Sequence, residues 1–323
     1  MDTFKLVAGD TVRVVAPSFS LKIISEDVRS VANKRFAEMG INIEFADYVE
    51  EMNGHLSSDI NYRVKDLHDA YADKNVKAIF AVIGGYNSNQ LLSHLDWNLI
   101  KNNPKPLIGY SDTTALQNAI LAKTGNISYS GPAYSTFGQE KYFDYTLEHF
   151  RKMLFSSGLV AVTPSEFWTD DEWFLDQEKR NVFKNEGWLP IYNGNAEGRI
   201  IGGNLGTLSS LFGTCYMPDL KNSILFLEDD ECEKFNEFDR MLQSLVHQKD
   251  FSGVRAVVLG RFQVESEMNT EYIKELFCNR PEFENIPVIA NVDFGHTNPM
   301  ITYPIGGEAI LNVNETGSTI ELA

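Results

Sequence analysis

Ser111 stands where an apolar stretch, Pro106 to Tyr110, gives way to a helical pattern that opens at Thr113. A hydroxyl at such a strand-to-helix elbow is lifted clear of the backbone. The N–H of the next residue, Asp112, then points out of a helix N-terminus toward any oxyanion formed on attack, which is the arrangement a nucleophile needs. Serine, aspartate and threonine also cap helices without doing chemistry, so the local pattern leaves both readings open.

A serine hydroxyl is a weak nucleophile at neutral pH and needs a base within hydrogen-bond reach. Six histidines are available. His68, His94, His149 and His247 fall inside helical patterns and read as surface or packing residues, and His55 lies in a polar loop. His296 differs. It follows the apolar run IPVIANVDFG in a turn-like segment, GHTNPM, at the C-terminal end of an expected strand, where α/β proteins place their sites. The base in turn needs a carboxylate to hold one tautomer. In SILFLEDDE only Glu228 directly follows the apolar strand, while Asp229, Asp230 and Glu231 read as a solvated acidic run. No histidine sits at ligand spacing from them, so no metal site is expected.

The elements that must carry these side chains alternate between β-branched apolar runs and segments of helical period, the signature of βαβ units. Thr11 to Ala16, Ile41 to Val49, VKAIFAVI and Pro106 to Tyr110 read as strands. Ser25 to Met39, Ser58 to Asp73, Ser88 to Asn102 and Thr113 to Thr124 read as helices, the last stopped by Gly125. After helix Tyr145 to Phe155 the pattern loosens into FWTDDEWFLDQEKRNVFKNEGW, which shows no sustained period. Strand signals return in GRIIGG, SILFLE, AVVLGRF and VIANVDF, with helical segments at Asn204 to Phe212, Phe235 to His247 and Thr270 to Phe277. The fold class expected is α/β: a doubly wound parallel-sheet nucleophile domain over 1–140, a linker and tryptophan-bearing loop over 141–190, and a second α/β domain over 191–323. At 323 residues the chain is about two domains of roughly 150 residues, consistent with that division.

A net charge of −17 repels phosphate backbones and anionic lipid, so neither nucleic acid nor a membrane is an expected partner. The three cysteines form no CxxC pair and suggest neither a disulfide framework nor a zinc site. With no signal-peptide pattern at the start and only short aliphatic runs, a cytoplasmic location is expected. Two Gly-Gly turns follow strands, at Gly84-Gly85 and Gly202-Gly203, and neither matches a dinucleotide or P-loop pattern. At the first, the missing Cβ lets a substrate carbonyl approach the backbone. At the second, close packing is expected, with Asn204 either a helix cap or a substrate contact.

VIGGYNSNQLL, IGYSDTTAL, GGNLGTL, FLED and GHTNP, in that order, resemble the LD-carboxypeptidase family of serine peptidases. The likeness runs from about Val12 to the C-terminus. It implies Ser111 as nucleophile, Glu228 as orienting acid and His296 as base, with the N–H groups of Gly85 and Asp112 as oxyanion hole. It implies neither metal nor organic cofactor, and a homodimer, since members are often dimeric.

Within the family the insertion between the halves is similar to that of the microcin C immunity branch. Trp168, Trp173 and Trp188, three of four tryptophans, fall in it. Flat aromatic faces on a loop can stack a purine, worth about 1–3 kcal/mol per base, and the branch implies hydrolysis of the amide joining an aminoacyl or peptidyl group to a nucleotide. Trp173 is the first choice of platform and Trp168 the second, although such rings can equally dock the loop onto the body. Release of D-alanine from a murein tetrapeptide by the same triad, and a non-catalytic binding module, are the competing expectations.

Overall fold

The computed structural model describes residues 4–323. The first half runs β1 (Thr11–Val15), α1 (Glu26–Glu38), β2 (Asn42–Phe45), α2 (Ile60–Ala72), β3 (Val76–Ala81), α3 (Trp97–Asn102), β4 (Leu107–Gly109), α4 (Thr113–Thr124), β5 (Ser128–Ser130) and α5 (Asp144–Phe155). The middle segment holds β6 (Val160–Val162), β7 (Phe167–Trp168), β8 (Phe183–Lys184) and β9 (Leu189–Tyr192). Next come β10 (Gly194–Asn204), α6 (Leu205–Ser209), β11 (Ser223–Glu228), α7 (Phe235–Val246), β12 (Val254–Gly260), α8 (Thr270–Cys278) and β13 (Val288–Val292). β14 (Tyr303–Ile305), β15 (Glu308–Val313) and β16 (Thr319–Leu322) close the chain.

Two sheets result. In the first, of order β14-β5-β4-β3-β1-β2, the strands β2, β1, β3, β4 and β5 are parallel and β14 is antiparallel. The second has order β6-β16-β15-β10-β11-β12-β13-β9, with a parallel centre of β10 to β13 and antiparallel flanks. Burial follows the topology. Central β3 and β11 are buried almost throughout, as strands covered on both faces must be. β15 alternates exposed and buried residue by residue, as a strand with one wet face does.

The pairing does not follow linear order along the chain. β14 returns from the second half to lie against β5 of the first sheet, and β6 and β9 of the middle segment enter the second sheet. The helix expected over Ser88 to Asn102 is divided into a 3-10 turn, Ser88–Leu91, and α3. Asp96 makes the break: its carboxylate accepts from the N–H groups of Asn98 and Leu99 and so starts a new helix.

α4 is buried along nearly its whole length, polar residues included, and packs against β10 of the second sheet. The Asn118 amide joins the two halves by donating to the Gly202 carbonyl at 2.8 Å and accepting from the Gly202 N–H at 3.3 Å. Thr114 Oγ1 accepts from the Asn204 N–H at 3.0 Å. Gly203 lies at φ +121, and a Cβ there would come within 2.4 Å of Thr114 Oγ1, so the glycine permits the contact. No helix among the described residues is long and apolar enough to cross a membrane.

Candidate active site

Ser111 sits between β4 and α4 at φ +59, a left-handed conformation that non-glycine residues rarely hold and that turns the side chain out of the elbow. The elbow is braced through the next residue. The Asp112 carboxylate accepts from the Ser88 N–H at 2.8 Å, and the Ser88 hydroxyl donates to the Asp112 carbonyl at 2.7 Å. The Gly-Gly turn after β3 is thereby fixed against the serine turn. Gly84 is the point of contact: a Cβ there would stand 3.0 Å from Ser111 Oγ and 3.6 Å from the Asp112 nitrogen. Among the described residues, the N–H groups of Gly85 and Asp112 have no acceptor within the protein.

The same turn is held from below. Buried Arg63 donates to the carbonyls of Pro17 and Asn87 and to the Asn87 side chain, at 3.0, 3.1 and 3.1 Å. Ser18 Oγ accepts from the Tyr86 N–H. A buried guanidinium with its donors placed on carbonyls is an expensive group to displace, so the Gly84–Asn87 backbone is held rigidly.

His296 Nε2 lies 3.0 Å from Ser111 Oγ, and its Nδ1 lies 2.7 Å from Glu228 Oε2. A carboxylate only accepts, so Nδ1 carries a proton, and in the neutral form of the ring Nε2 offers its lone pair to the serine. Glu228 ends β11 and is fully enclosed. Gly295, at φ +105, makes room for it, because a Cβ there would come within 2.6 Å of Glu228 Oε2. Burial is the largest single influence on the imidazole and pulls its pKa down. Contact with Glu228, together with Asp230 and Asp229, outweighs it and raises the pKa to about 9. Asp229 is itself pushed up to about 7, by burial first and by the Glu228 charge second.

The structure thus brings together Ser111, His296 and Glu228, with the N–H groups of Gly85 and Asp112 alongside. The remaining sequence candidates are placed differently. Asn204 caps α6 by accepting from the Thr207 N–H at 2.8 Å and donates to Asp229 Oδ1 at 2.7 Å, so both ends of its amide are engaged. Trp168 lies in the small β7–β8 ladder, stacked on Phe183 at 4.5 Å with the Arg261 guanidinium 5.2 Å over its ring. Trp173 is 9 % exposed and packs edge-on to Phe174. Among the described residues, no group of three or more His, Cys, Asp or Glu is arranged to hold a metal ion. Sequence reasoning missed Arg63, Arg261 and Asp293; a charged residue directly after an apolar strand, in AVVLGRF and VIANVDF, was the available signal for the last two, whereas Arg63 inside α2 carried none.

Residues 12–131 match the LD-carboxypeptidase N-terminal domain, and residues 197–311 match the LD-carboxypeptidase C-terminal domain. The chain is 46% identical over 303 residues to YocD of Bacillus subtilis, a provisionally named carboxypeptidase, covering 94% of this chain and 93% of that one. It is 31% identical to the microcin C7 self-immunity protein MccF of Escherichia coli, over 98% of this chain and 94% of that one. A solved structure of MccF in complex with glutamyl sulfamoyl guanosine superposes with a TM-score of 0.89 at 29% identity, over 99% of this chain and 98% of the other. The crystal structure of an MccF-like protein from Bacillus anthracis superposes with a TM-score of 0.97 at 48% identity, again over 99% and 98%. The chain belongs to the LD-carboxypeptidase family and is a hydrolase of the serine peptidase type.

Proposed function

We propose that the protein hydrolyses the amide bond between an aminoacyl or peptidyl group and a nucleotide through a Ser111–His296–Glu228 triad. The observation that carries this reading is the unbroken run of contacts from Ser111 Oγ to His296 Nε2 at 3.0 Å and from Nδ1 to Glu228 Oε2 at 2.7 Å. Ser111 attacks the carbonyl carbon and its proton passes to Nε2. The oxyanion of the tetrahedral intermediate is received by the N–H groups of Gly85 and Asp112, each such donor being worth about 2.7–4 kcal/mol of barrier. The imidazolium then protonates the departing nitrogen. A water molecule, deprotonated by the same imidazole, releases the acyl group from Ser111. Glu228 holds one tautomer and stabilises the charge throughout.

The substrate class is supported by likeness to MccF, whose solved complex contains an acylated sulfamoyl nucleoside. On this reading Trp173, then Trp168, offers the face on which the base stacks, and Asn204 shapes the floor beneath the acyl group. Because both rings are packed in the free protein, the 165–187 loop shifts to present one. The protein is expected to act as a cytoplasmic homodimer.

Those packed rings favour a second reading, release of D-alanine from a murein tetrapeptide, which has no base to stack. Mass spectrometry of products from an aminoacyl sulfamoyl-adenosine and from the tetrapeptide, run beside Ser111→Ala, decides between them. Free amino acid and sulfamoyl-adenosine from the wild-type protein alone are expected. An intact nucleotide substrate overturns the proposal, and released D-alanine replaces it with the second reading.

A further inference from the structure

The 165–187 loop and the histidine turn are joined by a buried polar cluster that takes no part in the triad. Arg261, the residue after β12, is 6 % exposed, and Asp293, just beyond β13, is fully buried. Arg261 Nη2 donates to the Asn185 side chain at 2.9 Å, to the Asn291 carbonyl at 2.9 Å and to Asp293 Oδ1 at 3.4 Å. The Asp293 carboxylate also accepts from the Ser165 hydroxyl at 2.7 Å, the Ser165 N–H at 3.1 Å and the Asn185 amide at 3.2 Å. Ser165 and Asn185 are the two feet of the loop. A buried charge pair that also holds both feet keeps a strong preference for one arrangement, because opening it strands two charges in the interior.

Three further contacts tie the loop to the cluster and its surroundings, one of them reaching the His296 turn. Trp168 lies under the Arg261 guanidinium. The next residue, Thr169, exchanges two backbone hydrogen bonds of 2.7 Å with Asn298, two residues beyond His296. Asp170 accepts from the Val264 N–H at 2.6 Å, in the segment that follows Arg261. Asp293 and His296 bracket the turn whose Gly295 accommodates Glu228. The loop is thus bonded to residues on both sides of His296, Asp293 through its feet and Asn298 through Thr169.

We propose that Arg261 and Asp293 are positioning residues whose ion pair clasps the loop feet, Ser165 and Asn185, to the turn that carries His296, so that seating of the loop sets the place of the imidazole. The inference rests on the triad reading but not on the identity of the substrate. Its consequence is a coupling of two tasks: a loop seated by a correct ligand also aligns the base, and a loop lifted from its feet misaligns it.

The test uses the full chain and two loop-side variants, Asn185→Ala and Ser165→Ala, which leave Arg261 and Asp293 paired, with Asp293→Asn as the stronger disruption. Three quantities are compared: the rate of tryptic cleavage at Lys179 and Arg180, the far-downfield proton resonance of His296 Nδ1, and kcat and KM with the aminoacyl sulfamoyl-adenosine. We expect the loop of Asn185→Ala to be cut about tenfold faster, the His296 resonance to broaden or vanish, and kcat to fall about tenfold with KM changed less. Faster cleavage with an unchanged resonance and kcat overturns the coupling, and cleavage at the wild-type rate overturns the clasp. If Asp293→Asn does not fold, the two alanine variants decide alone. A wild-type protein that shows the resonance but leaves the nucleotide intact sinks the proposed substrate, while cleavage and resonance still judge the clasp.

Discussion

The floor of the site and the loop beside it are built by opposite means. Ser111 and Glu228 sit at the ends of buried strands, on either side of a seam that joins α4 to β10 through Asn118, Thr114 and Gly203. The 165–187 loop has only the two-residue strands β7 and β8 and one backbone bridge, Thr169 to Asn298, and the rest of its anchoring is by side chains such as Asp293 at its feet, Arg261 over Trp168 and Asp170 on Val264. Its tip leaves Phe174 and Leu175 54% and 71% exposed. A floor fixed by backbone ladders tolerates little displacement, whereas side-chain clasps can release one by one. On the proposed reading, nucleophile and orienting acid thus rest on the rigid part of the molecule, while choice of ligand, and through the clasp the seating of His296, rests on the part that can move.

If that contrast holds, lesions in the floor act on kcat and are large. Ser111→Ala is expected to lower kcat by about a millionfold, to the residual level supplied by oxyanion donors and binding, with KM little changed. Steady-state kinetics checks this, and a variant that keeps a hundredth of the activity removes Ser111 from the mechanism. Glu228→Gln ranks next, at about ten-thousandfold. Glutamine keeps the shape but can donate to Nδ1, which favours the tautomer whose Nε2 proton faces the serine. The base then has no lone pair to offer.

The third effect is a pH dependence. With the His296 pKa near 9, the neutral imidazole fraction grows about tenfold per pH unit below that value, so kcat/KM rises roughly hundredfold from pH 6 to pH 8 and levels off near 9. The groups facing the ring are Glu228, Asp229, Asp230 and Tyr110. Asp229, up at about 7, loses its charge toward acid and so moderates the slope below neutrality. The stability contribution has the opposite sense. A pKa raised from 6.5 in the unfolded chain stabilises the fold fully below 6.5, and this is lost as pH climbs through 9. The protein gains activity over the interval in which His296 stops stabilising it. His149 is the opposite case: burial first, and Lys152 next, depress its pKa to about 4, so its contribution is present above 6.5 and fades as pH falls toward 4. A flat pH–rate profile between 6 and 8 contradicts the coupling of His296 to Glu228.

The same contrast governs how much the sequence reveals. α4 and β11 are read to the residue, because a buried helix stopped by Gly125 and an apolar strand ending in a carboxylate are set by local chemistry. The segments around Glu228 and His296 were legible for that reason, each following a strand long enough to show as an apolar run, whereas the short β4 before Ser111 was marked by the helix pattern that opens two residues after the serine. β14 escapes, since three residues carry no period and its pairing with β5 is a property of the return path. β15 is missed although EAILNV alternates cleanly, its exposed face making it resemble a polar tail. A charged residue beside an apolar strand marks Arg261 and Asp293 singly, but that they pair is illegible for a deeper reason. The members of their cluster, at 165, 185, 261 and 293, belong to four separate segments and meet only when the second sheet is assembled.

The smallest expected effect separates the two tryptophans. Trp173→Ala removes a ring that, on the proposed reading, receives the base once the loop shifts. One lost stacking contact of about 1–3 kcal/mol then raises KM for an aminoacyl sulfamoyl-adenosine roughly tenfold, with kcat nearly unchanged. Trp168 is stacked on Phe183 beneath Arg261, and its neighbour Thr169 is bonded to Asn298 of the histidine turn. Trp168→Ala therefore loosens the clasp and lowers kcat more than it raises KM. Steady-state kinetics on both variants, with the murein tetrapeptide as a second substrate, measures the split. Should Trp173→Ala leave KM for the nucleotide unchanged while Trp168→Ala raises it, the platform is Trp168 and the loop opens at its base. If neither variant alters KM, the rings serve only to pack the loop, and base recognition lies elsewhere on the rim.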